Sequence, residues 1–160
     1  MEGKDEASAP HVRRVVSWLE DVVCESPEFD VVYGLCASTG FEVAKAIRHL
    51  LENQAVEIFV ALLLNAQNFI IGYFEVSKGT LTSSLVHPRE VFGPAIRLGA
   101  ASVIVAHNHP SGDPDPSQSD VEVTQRLLGA GKLLGIPLLD HIIIGSEGRF
   151  QSLRRRLDFS

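Results

Sequence analysis

The segment from His107 to Asp120 constrains the fold of this chain of 160 residues more than any other. Its polar residues follow the pattern H-x-H-P, six residues, then S-x-x-D. The apolar run 101–106 before it predicts a buried strand, and residues 117–134 after it have the apolar spacing of an amphipathic helix. The prolines and glycine between the two can continue neither element. The segment therefore predicts a strand, a short rigid loop and a helix in succession.

This succession would bring metal-binding side chains to one point. His107 and His109, two residues apart at the end of a strand, project to the same side of a sheet. Ser117 stands at the predicted N-cap, and Asp120 follows on the first turn of the helix. Two imidazoles and a carboxylate make three protein ligands of a tetrahedral zinc ion, with the fourth position open to water, as in catalytic zinc sites. We therefore predict that His107, His109 and Asp120 bind Zn²⁺.

Each half of the pattern also has a simpler interpretation. Ser117 and Asp120 alone form a capping box with Asp in place of Glu, which needs no metal. Histidines at a strand end are often surface residues. The combination of both halves, at this spacing and in a strand–loop–helix context, favours the metal site.

The same pattern resembles the JAMM (MPN+) signature of zinc metallopeptidases, and residues 107–113 resemble the RadC family's version of it. Residues 87–92 and 135–141 resemble the same family, so that the likeness covers roughly residues 56–152. It implies a zinc-dependent hydrolase acting on amide bonds of a protein or peptide substrate, isopeptide bonds included. It also implies the JAMM, cytidine-deaminase-like architecture: an α+β (α/β-like) domain in which helices flank a mixed, curved sheet. The letters His-Asn-His do not indicate an HNH nuclease, whose three named residues are spread over a ββα unit.

Hydrolysis requires a general base and a donor that stabilises the oxyanion. The resemblance implies Glu57 as the base, because the family's catalytic Glu opens a similar E-x-F strand. Glu75 and Glu90 are its rivals. Ser117 is the predicted oxyanion donor, although a simple helix cap explains this residue equally well.

Other polar residues have supporting roles or none. Asp113 and Asp115 lie in the loop, where turn formation explains them. His141 is predicted to be a hydrogen-bonded residue behind the metal ligands or in the core. Its neighbour Asp140 must face the other way on a strand, so that the two cannot both point at the metal. His87, before a proline, could line the cleft.

The length suits one domain with a substantial core. We divide the chain into a flexible tail (1–10), a helical N-terminal segment (11–55), a RadC-like JAMM/MPN metal-binding domain (56–153) and a basic C-terminal tail (154–160). Predicted helices cover 11–25, 41–52, 87–98 and 117–134, and predicted strands cover 56–64, 69–77, 80–86, 101–106, 138–145 and 149–152.

The net charge of −6 argues against DNA binding by this chain alone. The alternative function is a non-catalytic metal-binding module in a complex associated with DNA repair or recombination. The helix-hairpin-helix module of fuller RadC proteins has no clear counterpart here. No signal peptide or membrane span is predicted, and Cys24 and Cys36 lack C-x-x-C spacing, so we expect buried or idle thiols in a reducing cytoplasm. The pattern sets no oligomeric state.

Overall fold

The structure is a computed structural model that describes residues 32–79 and 86–160. Its elements, in chain order, are α1 (Gly40–Leu51), β1 (Ile58–Leu64), β2 (Ile70–Lys78), α2 (Pro88–Leu98), β3 (Ser102–Asn108), α3 (Gln118–Leu134), β4 (Leu138–Ile144), β5 (Phe150–Ser152) and a short 3₁₀ helix (Leu153–Arg155).

The five described strands form one open, mixed sheet in the order β2-β1-β3-β4-β5. β3 and β4 are parallel, whereas the other neighbouring pairs are antiparallel. A parallel pair needs a crossover connection, and α3 lies in the connection between β3 and β4. This arrangement confirms the α+β fold class predicted from the sequence.

Apolar side chains cover both faces of the sheet. α1 packs on one face through Val43, Ile47 and Leu51. α2 and α3 cover the other face, where Phe92 and Leu127 are buried. β1 and β3, with strands on either side, are buried along their whole length. Polar residues at the ends of these two strands therefore lie beside a dry core.

The strand that leads to the predicted metal-ligand loop (residues 109–117) is longer than predicted. The apolar run predicts an end at residue 106, but β3 includes His107 and Asn108. Both residues pair with β4, because Ile143 and Ile144 continue the apolar neighbour strand to the same level. The apolar pattern alone could not show this, since pairing with a neighbour, rather than side-chain polarity, decides where a strand stops.

The other described elements lie within two residues of their predicted bounds. Predicted strand 80–86 lies outside the described residues except for Val86, which is buried but belongs to no strand. The predicted tail 1–10, helix 11–25 and Cys24 also lie outside them. Cys36 is exposed, contrary to one of our two expectations for the thiols. The domain division at residue 56 stays a prediction; α1 shares a core with the sheet.

Within the two described ranges, no helix is both long enough and apolar enough to span a membrane.

Candidate metal centre

Two histidines meet at the end of β3. His107 is fully buried, and its ring stacks on Phe59 of the neighbouring β1 at 5.8 Å between centroids. His109 follows the strand, and its backbone N–H donates to the carbonyl of Ile144 at 3.0 Å, which keeps the chain beside β4. The two Nε2 atoms lie 3.1 Å apart. The predicted projection of both imidazoles to one side of the sheet is what the structure shows.

The loop after His109 turns tightly against the connection between β4 and β5. Gly112 has a φ of +81°, a left-handed conformation that favours glycine, and its N–H donates to the His109 carbonyl. A Cβ on Gly112 would lie 2.6 Å from Ser146 Oγ, and a Cβ on Gly145 would lie 2.6 Å from the Gly112 carbonyl. These close approaches require glycine at both positions. The tight turn at Gly112 directs the chain back to the end of the sheet where α3 begins.

The start of α3 supplies a carboxylate that belongs both to a helix cap and to the histidine pair. Ser117 is the N-cap: its Oγ accepts from Asp120 N–H, while its own N–H donates to Asp120 Oδ2 at 2.7 Å. Asp120 Oδ1 lies 3.2 Å from His107 Nε2, and Oδ2 lies 3.3 Å from His109 Nε2. The capping-box and metal-ligand interpretations are therefore compatible.

A fourth donor comes from the residue before β1. β1 runs antiparallel to β3, so that Glu57 lies at the same end of the sheet as His107, with Oε1 3.5 Å from its Nε2. One donor atom from each of Glu57, His107, His109 and Asp120 lies within 4.8 Å of the other three. This cluster could hold a metal ion.

The hydrogen bond behind His109 fixes which of its nitrogens faces the cluster. His109 Nδ1 lies 2.7 Å from the carbonyl of Asp113, which can only accept, so Nδ1 carries a hydrogen. In the neutral ring, Nε2 then presents a lone pair towards the other donors.

A buried chain of hydrogen bonds supports His107 in the same way. Thr124 Oγ1 donates to the Asp120 carbonyl at 2.6 Å and lies 2.6 Å from His141 Nδ1. Since a hydroxyl has one hydrogen, His141 Nδ1 donates to Thr124, and His141 Nε2 accepts from His107 Nδ1 at 2.8 Å. Burial lowers the pKa of His141, which keeps this ring neutral. In the neutral ring, His107 Nε2 then presents its lone pair towards the cluster, the form that binds metals.

Convergent acceptor atoms attract a cation. Burial acts to raise the pKa of Asp120, but hydrogen bonds with His107 and His109 outweigh burial and hold that pKa far below its usual range. The hydrogen bond with Asp120, opposed by burial, raises the pKa of His109 above its ordinary value of 6.5. In the metal-free protein a proton on His109 thus supplies part of the positive charge that a metal ion would bring to the cluster. Two imidazole nitrogens with carboxylate oxygens are a donor set that suits a transition-metal ion.

This arrangement predicts how metal affinity depends on pH. The metal must displace the His109 proton, whose pKa is raised, so that affinity should begin to fall at a pH above 6.5 as the solution is acidified. In the metal-free protein the sign is opposite: protonated His109 stabilises the fold below pH 6.5, and this contribution is lost as pH rises through the raised pKa. Competition titrations between pH 5 and 8 measure the first effect.

An NMR titration of His109 in the metal-free protein gives the matching control. Its pKa should lie above 6.5 and should fall in Asp120→Asn, because the hydrogen bond with Asp120 is the largest cause of the shift. An unchanged pKa in Asp120→Asn would contradict the electrostatic coupling described here.

Three predicted or rival residues are not in the cluster. His87 is exposed at the start of α2. Glu90 is also exposed there and forms an ion pair with Arg89 at 2.9 Å. Glu75 is exposed and pairs with Val60, whose side chain packs on the α1 face, whereas His107 and Phe59 face α2 and α3. A register shift between Phe59 and Val60 contributes to this placement of Glu75.

The remaining acids support the structure around the cluster. Asp140 is buried, which raises its pKa, and it accepts from Ser152 Oγ and from the backbone of Arg154 and His141. As expected from strand alternation, it does not join His141 behind the cluster. Asp113 Oδ1 accepts from the backbone of Asp115 in the loop, and the Asp115 carboxylate pairs with Arg156 at 3.1 Å.

Sequence reasoning missed two buried residues around the cluster, Asn108 and Thr124. The Asn108 side chain bonds to the backbone on both sides of Glu57, and Thr124 bonds to His141. Thr124 stands four residues after Asp120, which places both on one face of a helix, so the spacing could have pointed to it. Asn108 gave no such signal, because its partners are 50 and 52 residues away.

The family model for the RadC-like JAB domain matches residues 38–158 of this chain. The UPF0758 protein GSU0386 of Geobacter sulfurreducens is 58% identical over 96 residues, which are 60% of this chain and 42% of the relative. The UPF0758 protein STH371 of Symbiobacterium thermophilum is 56% identical over 102 residues, 64% of this chain and 43% of the relative. A UPF0758 protein of Clostridium perfringens is 48% identical over 115 residues, 72% of this chain and 50% of the relative.

The chain thus spans about half the length, or somewhat less, of these curated relatives. The family match covers the whole sheet, all three described helices and every donor of the cluster. It confirms the resemblance inferred from the H-x-H-P pattern, and the chain belongs to the RadC-like JAB domain family.

Proposed function

We propose that this domain is a zinc-dependent hydrolase of the JAMM type, which cleaves an amide bond in a peptide or isopeptide substrate. The observation that carries the proposal is the convergence of His107, His109 and Asp120 with a second carboxylate, Glu57, at one end of the sheet. A structural metal site would need four ligands and no base. Here His107, His109 and Asp120 match the ligand pattern, and Glu57 would then be free to serve as the base.

We propose zinc as the metal that this donor set binds. His107 and His109 would each bind through Nε2, which their hydrogen-bond partners leave with a lone pair. Asp120 would bind through a carboxylate oxygen that both imidazoles already approach. Imidazole nitrogen with carboxylate oxygen and one open position is the ligand class of hydrolytic zinc. When bound, zinc would supply Lewis-acid polarisation and a nucleophile at neutral pH.

Glu57 would serve as the general base. Its side chain is 17% exposed and stands beside His107, so that it can meet both the buried donors and a substrate entering from solvent. It would accept a proton from the attacking water and pass it to the leaving nitrogen. The residue is attached to β1, a rigid central strand, which holds the distance through turnover.

Ser117 would stabilise the oxyanion. In this structure its hydroxyl donates to Asp120 Oδ2 at 2.7 Å, which ties the residue to the cluster. A hydroxyl rotates with little cost, so the same group can turn its hydrogen towards a substrate oxygen. The helix cap would persist meanwhile, because it uses the lone pairs of Ser117 Oγ and the backbone N–H of this residue.

The test is cleavage of a peptide pool by zinc-loaded protein, read as new termini by mass spectrometry. We expect products that require zinc, disappear with a chelator, and are absent when Glu57→Gln, which keeps the shape of the side chain, replaces the native protein. A pool that includes lysine side-chain isopeptides separates the two substrate classes. Products formed equally by Glu57→Gln would contradict the proposal.

A further inference from the structure

Asn108, between the two histidines of the cluster, bonds through its side chain to two backbone groups at and just before the start of the neighbouring strand β1. Its Oδ1 accepts from Ile58 N–H at 2.8 Å, and its Nδ2 donates to the Val56 carbonyl at 3.0 Å. The side chain is buried, with the residue 2% exposed. An N–H only donates and a carbonyl only accepts, so the orientation of the carboxamide is determined by its two partners.

The two partners of Asn108 flank Glu57 on either side. In an extended chain the N–H of one residue and the carbonyl two residues earlier point to the same side, where a neighbouring strand would bond them. The β1–β3 ladder ends at the pair Phe59–His107, one step before this point. The Asn108 carboxamide therefore replaces the next backbone hydrogen-bonded pair of the ladder. It attaches to β3 the residues that come just before the start of β1.

Asn108 reaches this backbone from the opposite face to the donors. Neighbouring residues on a strand point to opposite faces, so Asn108 faces away from the His107 imidazole. Its side chain bonds to the two peptide groups that flank Glu57. On the β2 side, Gly79 N–H donates to the Glu57 carbonyl at 2.8 Å. The backbone at Glu57 is thus held from both neighbouring strands.

We propose that Asn108 is a positioning residue for Glu57, which fixes the distance between that carboxylate and the metal ligands. This proposal rests on the function proposed above, because it takes Glu57 to be the general base. In this proposal Asn108 positions Glu57, and not the neighbouring ligands His107 and His109. Without the carboxamide, the buried Ile58 N–H loses its partner and residues 56 and 57 lose their attachment to β3. The Glu57 carboxylate would then lose its defined place 3.5 Å from His107 Nε2.

A double-mutant cycle on metal binding tests this without any substrate. The dissociation constant of Co²⁺, a coloured substitute for zinc, is measured by competition titration for the native chain, Asn108→Ala, Glu57→Gln and the double variant. Asn65→Ala is the matched control, because Asn65 also bonds through its side chain to two backbone groups, Gln67 N–H and Phe69 N–H, but at the far end of β1. The visible spectrum of the bound Co²⁺ is recorded for each variant.

We expect Asn108→Ala to weaken Co²⁺ binding about tenfold in the native chain, because it displaces the Glu57 carboxylate beside His107, and loss of such an outer partner of the ligands usually costs about 10–100-fold in metal affinity. The same substitution should change binding less than about twofold in the Glu57→Gln background, because it acts through Glu57. Asn108→Ala should also shift the Co²⁺ spectrum in the direction that Glu57→Gln shifts it. Asn65→Ala should change neither quantity.

An equal loss of affinity in both backgrounds would overturn the proposal, because Asn108 would then act through His107 or His109. No loss in the native chain would overturn it as well. If Asn108→Ala does not fold, Asn108→Ser is measured instead, since its hydroxyl cannot bridge both backbone groups. The cycle is independent of turnover: coupling without hydrolysis would reject the proposed reaction alone, and hydrolysis without coupling would reject the role of Asn108 alone.

Discussion

Asp120→Ala is expected to weaken zinc binding by more than about 100-fold, beyond the 10–100-fold that residues behind metal ligands usually cost. The native chain should hold about one zinc, because the described residues contain one cluster of this kind. The substitution removes the carboxylate that lies within 3.3 Å of both imidazole Nε2 atoms. Metal content after dialysis and a competition titration measure the change.

Asp113→Ala is the matched control for Asp120→Ala. Asp113 lies in the same loop, but it serves His109 through its backbone carbonyl, which alanine keeps. Its carboxylate accepts from the backbone N–H of Asp115 at 3.1 Å. Zinc content should therefore stay near one per chain. Greater sensitivity of Asp113→Ala than of Asp120→Ala would show that the loop geometry described here is wrong.

The Asp120→Ala variant also loses part of the α3 cap, which costs about 0.5–2 kcal/mol of stability. Asp120→Asn separates this effect from metal binding, since its side-chain oxygen can still accept from the Ser117 N–H. At a pH well above the raised pKa of His109, where protonation of His109 no longer stabilises the fold, this variant should unfold at nearly the native temperature in the absence of metal while binding zinc poorly. If Asp120→Ala and Asp120→Asn both lost zinc only in proportion to their loss of folded protein, the effect of Asp120 on zinc binding would be structural.

Glu57→Gln is expected to keep one zinc per chain and to reduce hydrolysis by roughly 10²–10⁴-fold, the usual contribution of positioned proton transfer. The amide preserves the shape of the side chain but cannot accept the proton. Rates on any substrate found in the peptide pool, with metal content measured on the same samples, test this expectation.

Glu75→Gln is the control for the base. Glu75 is exposed on the α1 face of β2, away from the cluster, so this variant should hydrolyse at a near-native rate. Near-normal turnover by zinc-loaded Glu57→Gln, together with an inactive Glu75→Gln, would assign the role to Glu75.

Much of the fold was predictable because strong local patterns agree with the tertiary structure. The all-apolar run of β1 and the Gly and Pro residues around the metal-ligand loop predicted elements that the structure contains. The meeting of His107, His109 and Asp120 was also predictable, since a short loop joins a strand end to a helix start. These features depend on sequence separations of fewer than fourteen or so residues, where chain geometry leaves little choice.

What could not be predicted depends on strand register. The side of the sheet on which Glu75 lies depends on its pairing, since a shift of one residue moves a side chain to the other face. A register shift near Val60 therefore determines the face of the sheet on which Glu75 lies, and no local sequence pattern predicts this shift. The bonds of Asn108 likewise require that β1 and β3 meet in one register. Sequence reasoning could name Glu57 only by family resemblance, because its approach to His107 is a long-range contact.

The most direct test of the central claim is a crystal structure of the zinc-loaded chain, with the ion located by anomalous scattering at the zinc edge. We expect one zinc at about 2.0–2.2 Å from His107 Nε2, His109 Nε2 and an Asp120 oxygen. We also expect the Glu57 carboxylate within hydrogen-bond reach of the fourth ligand but not bonded to the ion. Zinc bound elsewhere, or a site closed by Glu57 as a fourth protein ligand, would contradict this expectation.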